Sequence, residues 1–214
     1  MGNQIFSLAL SGAICLSVSS YIEPAFCGDV LTTKELQVKF VEDLIKANPN
    51  DANLHLQRAE LLVFLERFDA AIDESDRLIK WNSKLRDAYI VKGRSLAGKK
   101  HYREAIRYLD MAFKLGAPSS TLLLYKASYL SSEKKFVEAV EILSKVIKAE
   151  PSNVAAYESR ARCYVNMHGR CEQALKDMEK VVSLDPWDAA AKNAVQNLKR
   201  APRHNAAKRA SQSK

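Results

Sequence analysis

The chain has 214 residues, 47% of them apolar and only 13 of them glycine or proline, so most of it can bury a core and little of it reads as disordered. Its formal net charge is +8, but Lys199, Arg200, Arg203, Lys208, Arg209 and Lys214 form a final stretch with no acid in it; removing those six leaves +2 for the rest. A basic folded surface of the kind that covers nucleic acid is thereby excluded, and the charge excess belongs to a tail.

Residues 1–27 hold no Lys or Arg and carry an apolar run from Ile5 to Val18, the length of a signal-peptide core. Ala25 and Cys27 are small residues placed for cleavage before Gly28. The segment reads as an export signal, which would make the protein periplasmic, secreted or lumenal. The alternative is an uncleaved membrane anchor, although even extended to Ile22 the run has 18 residues, which barely reaches the ~20 that span a bilayer.

From residue 33 the chain repeats itself. Ala71, Ala105, Ala139 and Ala174 follow one another at intervals of 34, 34 and 35, and three residues before each stands Phe68, Tyr102, Phe136 or Cys171. Twelve residues before each alanine is another small residue, Ala59, Gly93 and Ala127, with Ala161 slipped by one; three further on come Leu62, Leu96, Leu130 and Tyr164. Small residues let two helices approach closely and large ones fill the gaps between neighbours. One such pair cannot bury its apolar face alone, so the pairs must stack. Ahead of the first repeat, the stretch ending at Pro49 reads as half a repeat. After the last, Ala191, Ala194, Val195 and Leu198 make one apolar stripe of a closing helix. Residues 201–214 have no apolar periodicity and read as a basic disordered tail.

This pattern resembles the tetratricopeptide-repeat (TPR) family over residues 33–200, in about four full repeats with a flanking half-repeat and a capping helix. Pro49, Pro151 and Pro186 close repeats, Pro118 comes one residue late, and Ser83 fills the remaining slot. The family's first-helix tryptophan is replaced by His55, Tyr89, Leu123 and Tyr157. The resemblance implies an all-α fold, an α-solenoid of nine to ten helices in antiparallel pairs wound into a right-handed superhelix.

It also implies a working surface. In the family, the first helix of each pair lines a concave groove that holds a peptide or a partner's helix. By position, the groove would present Leu56, Ile90, Leu124 and Glu158 at one level and Glu60, Arg94, Ser128 and Arg162 a turn later, with Leu56, Ile90 and Leu124 as an exposed apolar strip. Neighbouring rows are Asn53, Asp87, Thr121 and Ala155, then Gln57, Val91, Tyr125 and Ser159. The chaperone-tail subclass grips a terminal carboxylate with lysine, asparagine and arginine; here Leu56 and Glu60 stand where its first repeat needs lysine and asparagine, so that activity is not implied.

Other chemistry is sparse. "GRSLAGKK", Gly93 to Lys100, lacks only the hydroxyl of a phosphate-binding loop, but it falls on a helix rather than after a strand. Cys163, His168 and Cys171 offer three soft ligands where a structural zinc site takes four. The two cysteines read as buried fillers, as a disulfide in an oxidising compartment, or as metal ligands. His55, His101, His168 and His204 fall in no nucleophilic or acid–base spacing. The expectation is a non-enzymatic interaction module with a protein or peptide partner, no cofactor and no small-molecule substrate. The alternative is a binder of anionic surfaces or nucleic acid through its tail.

Overall fold

A computed structural model describes residues 30–200, apart from 117 and 168. The leader (1–27), the tail (201–214) and His168 lie outside the described residues. Among the described residues there are ten α-helices and no strand. They are α1 (Val30–Ala47), α2 (Ala52–Phe64), α3 (Phe68–Trp81), α4 (Arg86–Gly98), α5 (Tyr102–Lys114), α6 (Ser120–Ser132), α7 (Phe136–Ala149), α8 (Val154–Asn166), α9 (Cys171–Leu184) and α10 (Ala189–Arg200). None of these helices is long and apolar enough to cross a membrane.

Two kinds of turn alternate. Four of the even-numbered helices begin on a side-chain cap: Asp51 accepts from the amides of Asn53 and Leu54, Ser119 from Leu122, Asn153 from Ala156, and Asp188 from Ala191. Helices α3, α5, α7 and α9 have no such cap. The turn before each is closed by backbone instead. Arg67, His101 and Lys135 donate their amides to the carbonyls of Leu62, Leu96 and Leu130 at 2.9, 2.9 and 2.8 Å, the six-to-one bond that ends a helix through a left-handed residue. That residue is Glu66 (φ 56°), Lys100 (φ 65°) or Lys134 (φ 60°); in the last repeat the left-handed residue is Gly169 (φ 80°), and Arg170 donates to the Met167 carbonyl instead. Only glycine adopts this conformation freely, and each of the other three carries a strain of about 1 kcal/mol for it. The geometry nevertheless recurs, because it turns one helix back on the next in three residues.

Packing follows the alanine register. Ala71, Ala105, Ala139 and Ala174 are all 0% exposed, as is Ala59, with Ala127 at 1% and Ala161 at 2%. Helices α4 and α5 approach closely: a Cβ added to Gly93 would stand 3.2 Å from the carbonyl oxygen of Ala105 and 3.5 Å from the Leu109 side chain. Leu62, Leu78, Leu109, Leu130 and Leu143 fill the spaces between pairs. Each helix packs on the next in sequence, and in addition α2 packs on α4 and α6 on α8. Helices α4 and α6 make no comparable contact.

A second register is polar. Arg58, Lys92, Lys126 and Arg160 occupy the same place on α2, α4, α6 and α8, and each reaches the helix sixteen residues back. Arg58 donates to Glu42 at 3.0 Å, Lys92 to Asp76, Lys126 to Asp110, and Arg160 to the Ser144 hydroxyl at 2.9 Å. In the end repeats the arginine also reaches forward: Arg58 to the buried Glu74, and Arg160 to the buried Asp177 through two bonds of 2.9 and 2.7 Å. Arg77 and His55 close around Glu74 as well, and the other ring nitrogen of His55 faces the Pro49 carbonyl. In the second repeat the Tyr108 ring stands in for the forward acid, 4.4 Å from the Lys92 ammonium. Burial pulls Lys92 down, but its hydrogen bonds to Asp76 and Tyr108 outweigh that and hold the ammonium above its ordinary value.

Candidate functional site

Helices α2, α4, α6 and α8 carry all eight sequence-assigned groove residues. Because α2 packs on α4 and α6 on α8, the residues come together as two groups: Leu56 and Glu60 with Ile90 and Arg94, and Leu124 and Ser128 with Glu158 and Arg162. The expected apolar strip is only partly open to water. Leu56, Ile90 and Leu124 are half-buried, Ile90 against the cluster around Leu109 and Leu124 against the cluster around Leu143. The physical reason lies in the spacing of the helices, which seats these side chains between neighbours as wedges. Glu60, Ser128 and Arg162 are exposed; Glu158 and Arg94 are half-buried, with the Arg94 guanidinium over the Tyr125 ring at 5.6 Å.

Between α6 and α8 the surface opens into a cleft of about 360 Å³. One wall is α6, with Ser128, Ser131 and Ser132; the other is α8, with Ser159, Arg162 and Asn166. Lys134 stands at the rim on its left-handed turn, and Ala127, Phe136, Leu143 and Cys163 form the apolar floor. No Asp or Glu lines it. Among the described residues neither Arg162 nor Lys134 makes an ion pair, although the cations at Arg58, Lys92, Lys126 and Arg160 all do or are otherwise hydrogen-bonded. Ser132 donates to the Ser128 carbonyl at 3.1 Å, and Asn166 to the Arg162 carbonyl at 2.8 Å, so both walls are internally braced.

Cys163 carries a free thiol in this floor, 1% exposed, and Cys171 a free thiol at the exposed start of α9. Burial pushes the Cys163 thiol up, against the opposing pull of the Ser131 hydroxyl and the Arg162 charge. Such a thiol is a poor nucleophile at neutral pH. Gly93 is buried inside α4 and Gly98 is its last residue, so "GRSLAGKK" is helix and turn, with no amide cradle for a phosphate.

Of the cleft residues, Ser128, Arg162 and Ser159 stand on rows that the repeat register assigns to the groove. Ser131, Ser132, Lys134 and Asn166 do not. The signal for Ser131, Ser132 and Lys134 in the sequence is the serine-rich run "SYLSSEKK", which has no counterpart in the other repeats, while Asn166 has none.

No family model matches the chain. Solved structures do. YrrB, described as a TPR protein with an unusual peptide-binding site, superposes with a TM-score of 0.62 at 22% identity, over 74% of this chain and 81% of that one. The chain has the tetratricopeptide-repeat fold. MamA from Desulfovibrio magneticus RS-1 superposes with a TM-score of 0.64 at 19% identity, over 70% of this chain and 84% of its own. By sequence, the TPR chain is 43% identical over 61 residues to Hsp70-Hsp90 organizing protein 3 of Arabidopsis thaliana. That match covers 28% of this chain and 11% of the plant protein.

Proposed function

We propose that this TPR array is a non-enzymatic scaffold, exported under the direction of residues 1–27, that binds a peptide or a partner's segment along the face built from α2, α4, α6 and α8. The observation that carries the reading is the cleft between α6 and α8. Two residues that the repeat register alone assigns to the groove, Ser128 and Arg162, line one concavity there and are free to meet a ligand. YrrB, a neighbour in fold, is described as having a peptide-binding site, which supports a peptide as the kind of ligand. The chaperone connection in the name of the plant relative does not extend to a carboxylate grip here, since Leu56 and Glu60 supply neither the cation nor the amide.

The test is selection of random twelve-residue phage-displayed peptides on the full chain, followed by affinity measurement on variants. Arginines on interaction surfaces commonly carry more than about 2 kcal/mol of binding energy, or roughly a thirtyfold change in Kd. Arg94→Glu or Arg162→Glu should weaken the selected peptides by that much without changing helicity. Ile90→Glu is a poorer probe, because Ile90 is half-buried packing. Full binding by both arginine variants would move the interaction off this face.

A further inference from the structure

The polar register makes the cleft unusual within its own chain. At the matching place on every even-numbered helix from α2 to α8 a cation is met by an acid or a hydroxyl of the preceding repeat. Two residues beyond Arg160 on α8, Arg162 has no such partner, and Lys134 faces the same cleft from the turn after α6. The hydroxyls of Ser128 and Ser159 line the same cleft, and neither makes a hydrogen bond among the described residues. Cations, hydroxyl donors and a complete lack of carboxylates in one concavity describe a site for an oxyanion.

We propose that the cleft between α6 and α8 is a subsite for the phosphate group of a phosphorylated side chain on the bound peptide, held by Arg162, Lys134 and the hydroxyls of Ser128 and Ser159. The proposal rests on the peptide-binding reading above and names the chemistry of one anchor. A phosphate monoester suits the cleft better than a carboxylate on three counts. It brings a charge of about −1.5 to −2, which matches two cations rather than one. It has three acceptor oxygens for the guanidinium fork, the ammonium and two hydroxyls. And the apolar floor of Phe136 and Leu143 gives the carbon stem of a phosphorylated residue something to lie on.

The test is an NMR titration of the full chain with N-acetyl-O-phosphoserine amide, inorganic phosphate and N-acetylglutamate amide, at fixed ionic strength. The expected result is saturable shifts centred on Ser128, Ser159 and the Arg162 side chain, with the phosphoserine derivative at least fivefold tighter than the glutamate one. Replacing both cations (Arg162→Gln with Lys134→Gln) should abolish the response. Lys100→Gln, at the equivalent turn one repeat earlier, should leave it intact.

Unsaturable shifts spread over many Lys and Arg residues would overturn the proposal. So would equal affinity for phosphoserine and glutamate derivatives, binding of inorganic phosphate alone, or recruitment to phosphoinositide vesicles without a phosphoserine response. The small-molecule arm reads the cleft directly. A phosphoserine response in a protein whose selected peptides ignore Arg94 and Arg162 would therefore sink the groove reading and spare the phosphate site.

Discussion

The contact between α4 and α5 offers a quantitative test of the repeat register through Ala105→Leu. Ala105 has no exposed surface, and the facing position on α4 is Gly93, where even a single added carbon would lie 3.2 Å from the Ala105 carbonyl oxygen. A leucine at 105 must place three further carbons in a contact with no spare volume, at a cost of about 1–3 kcal/mol. For a domain of this size each kcal/mol moves the melting temperature by about 2–4 °C, so a fall of roughly 4–8 °C is expected at the middle of that range. The companion variant is Gly93→Ala, which by helix propensity alone would stabilise by about 1 kcal/mol. The close approach predicts that this gain is lost, because the new Cβ must push the α5 backbone away. Thermal and urea unfolding followed by circular dichroism measure both. An unchanged midpoint for Ala105→Leu together with a stabilised Gly93→Ala would show that the two helices do not meet where the register puts them.

Arg160→Met strands the buried Asp177 carboxylate without its bidentate partner, which should cost about 3–5 kcal/mol in urea unfolding. Adding Asp177→Leu should recover most of that, and a strictly additive double variant would contradict the pairing. Burial pushes the Tyr129 phenol up to about 12 from the ordinary 10.0, with a smaller opposing pull from Arg94. The folded value is raised, so stability is complete below about pH 10 and falls as pH rises through about 12, by roughly 3 kcal/mol in all. Tyr129→Phe should escape that part of the loss between about pH 9 and about pH 11.5; parallel decline of both proteins would refute it. The export proposal expects N-terminal sequencing of native material to begin near Gly28, and an intact Met1 in soluble cytosolic protein would rule it out.

The apolar half of this fold is legible in one dimension. Alanine intervals of 34 and 35 locate the helix contacts because a zero-clearance contact tolerates only small side chains, and Ala71, Ala105, Ala139 and Ala174 are buried where that argument places them. The polar register has the same period: Arg58, Lys92, Lys126 and Arg160 stand 34 residues apart without slippage. It is masked because a long cationic side chain on a helix looks like solvated surface whether or not an acid awaits it on the neighbouring helix. The left-handed turn residues Glu66, Lys100 and Lys134 are hidden for the opposite reason, since the residue types chosen give no hint of positive φ. The half-burial of Leu56, Ile90 and Leu124 depends on how far apart neighbouring helices stand, a quantity no spacing in the chain encodes. The cleft depends on it too.

That separation is uneven, and its unevenness bears on what the groove can hold. Between α4 and α6 the backbones approach less closely than in the other two pairs, and the turn after α5 carries its proline, Pro118, one residue later than the repeat would place it. Large rings take up the space. Tyr125 stacks with Tyr129 at 6.4 Å, Tyr102 lies 6.2 Å from Tyr129, and Arg94 crosses from α4 onto Tyr125. The proposed recognition face is thus two packed helix pairs, α2 with α4 and α6 with α8, joined by an aromatic seam. The cleft is walled by the second pair and floored by Phe136 and Leu143 of α7, so its geometry is set by the α6–α8 contact, α7 and the Lys134 turn rather than by the seam. An anchor gripped there keeps its site whatever the seam does, whereas a segment that also reaches Arg94 must cross the rings. Removing the Tyr125 ring should then weaken ligands that span both pairs and leave the response to a lone phosphoserine unchanged.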